Sequence, residues 1–422
     1  MKQFQYSYEK EFGLNVWLRR IQAYCSANAI PEEKILFRIY SDSTSVSTIG
    51  PVISRIRKKL PQALYTGSST HGNIIHGGLA HSHIALSCTV FEDSSTRLKV
   101  LQLPLDSLTQ EESASFLLKT VRENPWVRAV EMMSTVHSAA IDVFLERLSS
   151  LPDSVQFFGG GAHGTDTAGG DTSRAFVFSG SGAVTQHSAV FILYGGDSLH
   201  VQSRYFAGWQ EMGRPMAITA AEGRVLKELN GIPARDVYKQ YLGISEEKDF
   251  TNLAKVFPFS VESDSVHFLR VVVSLAEDGG LFLASPVKEG DLCRISYGNH
   301  GIIRECLQKE LAQMREFRPQ AIQLFSCAAR ESFWGKAMTS NETFPFETLA
   351  PTSGYYTSAE FLRTRSKIFL HNSTLVIVGM REGVGDPVLK DYFVPEESSS
   401  HHMMINRSLA SFIQEQDREH GW

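Results

Sequence analysis

The sequence predicts an α/β (mixed α+β) fold, with two domains whose largely antiparallel sheets are flanked by helices. Three observations carry that class. Apolar runs of strand length alternate with helix-period stripes in the first third of the chain. The strand-like runs 83–91 and 98–105 follow each other directly, which suggests antiparallel pairing and not a uniformly parallel sheet. After Gly159 the texture shifts to Gly, Ser and β-forming residues, as in a meander with tight turns.

Taken in order, Trp17, Ile21, Tyr24, Cys25 and Asn28 recur at helical spacing until Pro31 stops them. The run 35–40 is a strand. Ile49, Val52, Ile53, Ile56 and Leu60 then mark one face of a second helix, and 63–67 reads as another strand. Helix and strand continue to alternate through 115–121, 129–136, 141–148 and 155–158. The strands 175–178, 189–193 and 201–206 read as the meander. The second half returns to the mixed style, with a short helix at 236–242, a strand at 268–273, a helix at 303–317 and strands at 321–326 and 374–378. A boundary near Gly223–Gly231 divides the chain into an N-terminal helix (1–29), a first domain (30–228), a second domain (229–394) and a tail (395–422). In that tail Ile405, Leu409, Phe412 and Ile413 form a helical stripe, read either as a helix packed on the body or as a connector toward an output domain and a route to a homodimer.

Composition excludes several functions. Hydrophobic residues make up 42% and charged residues 21% of 422, as in an ordinary well-cored chain. Lys and Arg number 41 against 46 Asp and Glu, a net charge of −5 that offers no footprint for nucleic acid or an anionic membrane. No apolar run approaches the ~20 residues of a membrane span, and the start lacks a secretory signal. The five cysteines are scattered without CxxC spacing, which fits a reducing cytoplasm and free thiols.

Gly159-Gly160-Gly161-Ala162-His163-Gly164 fits GxGxxG after a strand, but the Gly- and Asp-rich 165–171 does not open a helix, so a dinucleotide loop is rejected. These glycines instead allow close backbone approach. His71, His76, His81 and His83 are the densest imidazole cluster, able to ligate a metal or haem if they converge, yet matching no metal-site spacing. Cys327 ends a strand beside Arg330; a thiol near a cation can be a nucleophile, with His371-Asn372 as a source of base, or it can simply line a binding pocket.

The same residues carry a family likeness. Leu324-Phe325-Ser326-Cys327-Ala328-Ala329-Arg330, then Gly354-Tyr355-Tyr356-Thr357-Ser358-Ala359-Glu360, then His371-Asn372-Ser373-Thr374 resemble the C-terminal half of the FIST (F-box and intracellular signal transduction) sensory domain. Thr66-Gly67-Ser68-Ser69-Thr70-His71-Gly72, the glycine loop 159–162, and the junction Gly208-Trp209-Gln210-Glu211-Met212-Gly213 through Glu228-Leu229-Asn230-Gly231-Ile232-Pro233-Ala234 resemble its N-terminal half and the link between halves. The motifs run in family order over most of 30–380. Ala359, Ala329 and Gly164 depart from the usual residues and point to a changed ligand if they touch it.

The resemblance implies an intracellular input module of bacterial-type signalling. Such modules stand alone or ahead of kinase, cyclic-dinucleotide or chemoreceptor output domains, and amino acids are a proposed ligand class. It implies no catalysis and no cofactor, with a haem-based nitric-oxide or redox sensor and a Cys327 enzyme as the alternatives. On the residues, a zwitterion would place its carboxylate on Arg330 and its ammonium on Glu360, unless those two pair with each other. Ser69, Thr70, Tyr355, Asn372, Cys327 and Gly160 complete the expected pocket. At this length the chain reads as a complete sensor whose output lies elsewhere.

Overall fold

One recipe recurs three times along the chain: an edge strand, a helix, a strand, a second helical segment, a parallel strand, an excursion, and a return strand. The first pass uses strands Lys2–Tyr8, Ile35–Ser41, Leu64–Ser69 and Ile84–Val90 with helices Glu11–Ala27 and Gly50–Lys59. The second uses Arg97–Pro104, Val127–Ser134, Gln156–Gly161 and Ser188–Gly195 with helices Gln110–Glu123 and Ala140–Leu148. The third uses Leu199–Phe206, Ala321–Cys327, Thr352–Thr357 and Leu375–Glu382 with helices His300–Phe317, Ala328–Trp334 and Ser340–Glu347. The computed structural model describes residues 1–43, 45–106, 108–135, 140–164, 174–180, 182–243, 256–263, 266–276 and 278–385. The tail with its stripe at 405–413 lies outside the described residues.

Each pass builds one sheet, and each sheet is completed by strands borrowed from another pass. Val177–Ser179 of the second pass pairs with Leu64–Ser69 of the first. The hairpin Glu360–Thr364 and Lys367–His371 of the third adds to Gln156–Gly161 of the second. Gly72–Ile75 of the first, with Gly78–Leu79, adds to Thr352–Thr357 of the third. The exchange closes into a ring. Within each sheet one pair is parallel, and every other named pairing among the described residues is antiparallel.

Equivalent positions in the three sheets carry equivalent demands. A Cβ on Gly159 would lie 1.9 Å from Met132 O, on Gly354 1.9 Å from Leu324 O, and on Gly67 2.2 Å from Ile39 O. In each case the residue facing the glycine across the parallel pair approaches closer than any side chain permits. The outward faces of the strands bury Phe37, Ile39, Phe157 and Ile377 under the helices. The inward faces meet in a shared core of Leu36, Tyr40, Met133, Phe158, Phe325 and Tyr355.

That shared core is not wholly apolar. One residue before each close approach stand Arg38, Glu131 and Gln323, all buried. Arg38 Nε and Nη2 donate to the Glu131 carboxylate at 3.1 and 2.9 Å, Nη1 donates to Thr89 at 3.1 Å, and Tyr194 hydrogen-bonds to both members of the pair. Gln323 accepts from Tyr40 at 3.2 Å and donates to Gln3 at 2.8 Å. Polar contacts therefore join all three sheets at their centre.

Between Leu199–Phe206 and His300–Phe317 the chain inserts an eight-stranded antiparallel sheet with its own core around Tyr238, Phe259, Leu281 and Ile295. Its longest strand, Trp209–Glu222, turns through Gly223 into Val225–Leu229. The expected boundary near Gly223–Gly231 is thus a hairpin and turn inside this sheet. Two expectations about strand pairing are corrected. The runs 83–91 and 98–105 do not pair: the first lies between Lys2–Tyr8 and Ile35–Ser41, and the second pairs with Ser188–Gly195. The strands read as one meander fall in three different sheets. The strands 83–91, 98–105, 189–193 and 201–206 each close or open a pass, and 175–178 is lent to the first sheet, so neighbours in sequence face different partners.

Candidate ligand-binding site

Ligands of α/β sheets gather beyond the carboxyl ends of their strands. Here the ends of the three parallel pairs are stitched together by backbone hydrogen bonds. His163 N donates to Ser69 O at 3.0 Å, His71 N to Tyr356 O at 3.0 Å, Gly161 N to Ala359 O at 2.7 Å and Ser358 N to Gly161 O at 3.1 Å. Residues distant in sequence thereby reach one place.

At the mouth of this junction His71 Nε2 lies 3.2 Å from Glu331 Oε2, and the His71 ring meets His163 edge-on at 4.7 Å. The His71 side chain is 32% exposed and that of Glu331 9%. The imidazole hydrogen bond holds the Glu331 carboxyl below its usual range. The other histidines do not join them: His76 pairs with Glu347 at 3.4 Å, His83 pairs with Asp42 at 2.7 Å, and His81 stands exposed. Among the described residues no group of three or more His, Cys, Asp or Glu is placed to hold a metal. Of the four histidines only His71 stands at the junction, so the cluster does not converge on one site.

Deeper in the junction Cys327 meets Glu360. Glu360 is buried with no cation paired to it among the described residues, and accepts from Thr357, from Thr374 Oγ1 at 2.8 Å and from Thr374 N at 3.3 Å. Burial pushes its carboxyl up to about 7 despite those donors. Burial, with Glu360 next, also pushes the Cys327 thiol well up, and the opposing pull of Arg330 is weaker. This is the reverse of the activation a nucleophilic thiol needs. His371 is buried and driven down to about 3 by burial and then by Arg270; no hydrogen bond among the described residues links it to Cys327.

The largest revision concerns Arg330. Its fork faces Glu342, not Glu360 or a cavity: Nε donates to Glu342 Oε2 at 2.9 Å, Nη2 bonds the other oxygen, and Nη1 donates to Ala207 O at 2.6 Å and Ser373 O at 2.7 Å. The guanidinium also lies over the rings of Phe206 and Trp209. It is a fully buried pin between helix, junction and turn. Tyr355 and Gly160 do come together, the phenol donating to Gly160 O at 2.8 Å. Thr70 donates to Asn73 at 2.7 Å, and Ser69 is exchanged with the backbone of Phe176. Asn372 accepts from Ser285 at 2.9 Å, while its Nδ2 has no partner among the described residues.

Sequence reading missed Glu342, Glu331, His163 and Ser285. Glu331 was adjacent to a highlighted arginine, and His163 ended the glycine loop, so both were available as signals. Glu342 and Ser285 had none, because their partners are chosen by folding.

The Glu360 carboxyl yields a pH prediction. A carboxyl whose folded pKa is raised binds its proton more tightly when folded, so its contribution favours the fold in acid. That contribution falls as pH rises from its ordinary 4.5 through about 7, and is flat above. Thermal melts at about pH 5 and about pH 8 should show a larger loss for wild type than for Glu360→Gln. Equal losses would remove the buried, cation-free carboxyl from the account.

Comparison with known families places two matches end to end. The FIST N domain matches residues 36–232, and the FIST C domain matches residues 234–363. No curated protein gives a significant match to the chain. No helix among the described residues is long and apolar enough to cross a membrane.

Proposed function

We propose, from the premise that this chain belongs to the FIST family of sensory signal-transduction domains, that it is a non-catalytic input module for a small polar ligand. One observation carries the reading: at the converging strand ends a carboxylate held anionic, Glu331, stands beside the partly exposed imidazoles of His71 and His163. A small zwitterion such as an amino acid needs an acceptor for its ammonium and donors for its carboxylate within one site. Glu331 supplies the first and the imidazoles the second. Arg330 and Glu360 serve this site from behind, the one as a pin and the other as a buried acceptor. The buried thiol of Cys327 supports binding over chemistry.

The ligand acts by favouring one arrangement of the junction over another, which an output partner of kinase, cyclic-dinucleotide or chemoreceptor type then reads. The inserted sheet is a natural mover, since Val271 packs on Cys327 and Ala329 at the junction itself.

A thermal-shift screen across the amino acids tests this. Ligand at about 100 times its Kd adds roughly 2.7 kcal/mol to the folded state, enough to raise Tm measurably. At least one amino acid should raise Tm, and His71→Ala and Glu331→Gln should lose that rise while melting near wild type. A panel with no active member sinks the amino-acid reading.

A further inference from the structure

Arg270 ends the strand Val266–Arg270 of the inserted sheet, where it meets the hairpin strand Lys367–His371. Its Nε donates to Pro286 O at 3.2 Å, and its Nη1 donates to Leu269 O at 3.2 Å and Leu370 O at 3.5 Å. Its guanidinium carbon sits 4.8 Å from the centre of the Phe268 ring. Among the described residues no carboxylate lies within ion-pair distance of it, and its Nη2 donates to no protein acceptor. Withdrawn guanidinium groups are ordinarily matched to an anion, because taking an unpaired charge from water is expensive. Arg330 and Arg38 obey that rule with Glu342 and Glu131. Arg270 does not.

Asp142 and Asp291 attract Arg270 and Arg224 opposes them more weakly, but neither carboxylate reaches ion-pair distance of it; Asp142 lies 3.9 Å from Arg224 Nη2 instead. Burial raises the Asp142 carboxyl, which weakens it as a counter-charge. The segments that clamp Arg270 also present further polar atoms. Pro286 O holds the guanidinium while the preceding Ser285 holds Asn372 Oδ1 at 2.9 Å, so Asn372 Nδ2 is left as a buried donor without a partner. His371 Nε2 is likewise buried and unpartnered. Asn372 and His371 are 1% and 3% exposed, whereas Arg270 keeps part of its surface open.

We infer that Arg270 and Asn372 form an oxyanion-binding site between the inserted sheet and the turn after Lys367–His371, taking a carboxylate or phosphate group. The guanidinium Nη2 and the amide N–H of Asn372, donors without an acceptor among the described residues, would each take one oxygen of such a group. The site is separate from His71 and Glu331 and goes beyond the sensor reading above. It gives the inserted sheet a charged contact to the body that a ligand completes.

The test uses the full chain with acetate or inorganic phosphate against chloride at matched ionic strength, read as Tm. Wild type is compared with Arg270→Gln, since phosphate stabilises proteins in general and the difference between variants removes that effect. Wild type should gain several degrees more than Arg270→Gln in at least one oxyanion. A gain in acetate assigns a carboxylate site, and a gain in phosphate alone assigns a phosphate site. Asn372→Asp guards against a misfolded Arg270→Gln by supplying the anion within the chain. It should melt higher than wild type in chloride and lose the oxyanion response, while His71→Ala keeps it. Equal responses in wild type and Arg270→Gln, or an Asn372→Asp that melts lower and still responds, overturn the inference. An amino-acid response that survives Arg270→Gln leaves the sensor reading standing without this site, and an oxyanion response with a silent amino-acid panel does the reverse.

Discussion

Glu131→Ala is expected to lower the free energy of unfolding by about 3–5 kcal/mol, the cost of leaving a buried cation without its partner. Arg38 and Glu131 are both fully buried, and each lies in the middle of a different sheet. Removing the carboxylate strands the guanidinium and also deprives Tyr194 of its acceptor. The double variant Arg38→Met with Glu131→Leu should recover most of the loss, because an apolar pair of similar volume avoids desolvating charge altogether. Urea unfolding of Glu131→Ala and of the double variant reads both statements. A single variant costing under about 1 kcal/mol would mean that the pair is not sealed from water. The pair ties the first sheet to the second, and Gln323 ties the third to the first, so a large penalty would show that this polar centre holds the ring together.

Arg330→Ala is the second large effect, again about 3–5 kcal/mol. It orphans Glu342, frees the carbonyls of Ala207 and Ser373, and removes a cation stacked over Phe206 and Trp209. Arg330→Lys should recover little, because an ammonium cannot bridge Glu342 by two parallel bonds and still reach both carbonyls. Denaturant titration separates a pin from a ligand anchor. A pin loses stability in the absence of any ligand, whereas an anchor would melt like wild type and lose only its response. A wild-type midpoint for Arg330→Ala would return this residue to the ligand.

These two arginines show where the sequence stopped being informative. Arg330 was legible as a special residue, a long cation at the end of an apolar strand. Its partner was not, because Glu342 lies twelve residues on with no helical or strand period connecting them. Glu331, one residue away, supplies the carboxylate that meets the partly exposed His71. Cys327 was legible as a strand terminus, but the sign of its pKa shift is set by burial first and by Glu360 next, which together outweigh Arg330. Arg270 carried no sequence signal at all: what distinguishes it is the carboxylate it lacks.

Most helices and strands were legible, since spacing within one element is local and survives without knowledge of neighbours. Trp17, Ile21 and Cys25 bury one helix face as their period requires. The first strand, Lys2–Tyr8, was missed. The mixed, largely antiparallel class followed from the same local signals, and the ordered motifs carried the family. Sheet membership belonged to the tertiary structure alone. The hydrogen bonds that seat Glu360–Thr364 beside Gln156–Gly161, or Gly72–Ile75 beside Thr352–Thr357, use backbone groups that every residue type possesses. Nothing in side-chain identity marks such partners at long range, so the closed ring of borrowed strands, and with it the place where His71, Glu331, Cys327 and Glu360 converge, was decided only when the chain folded.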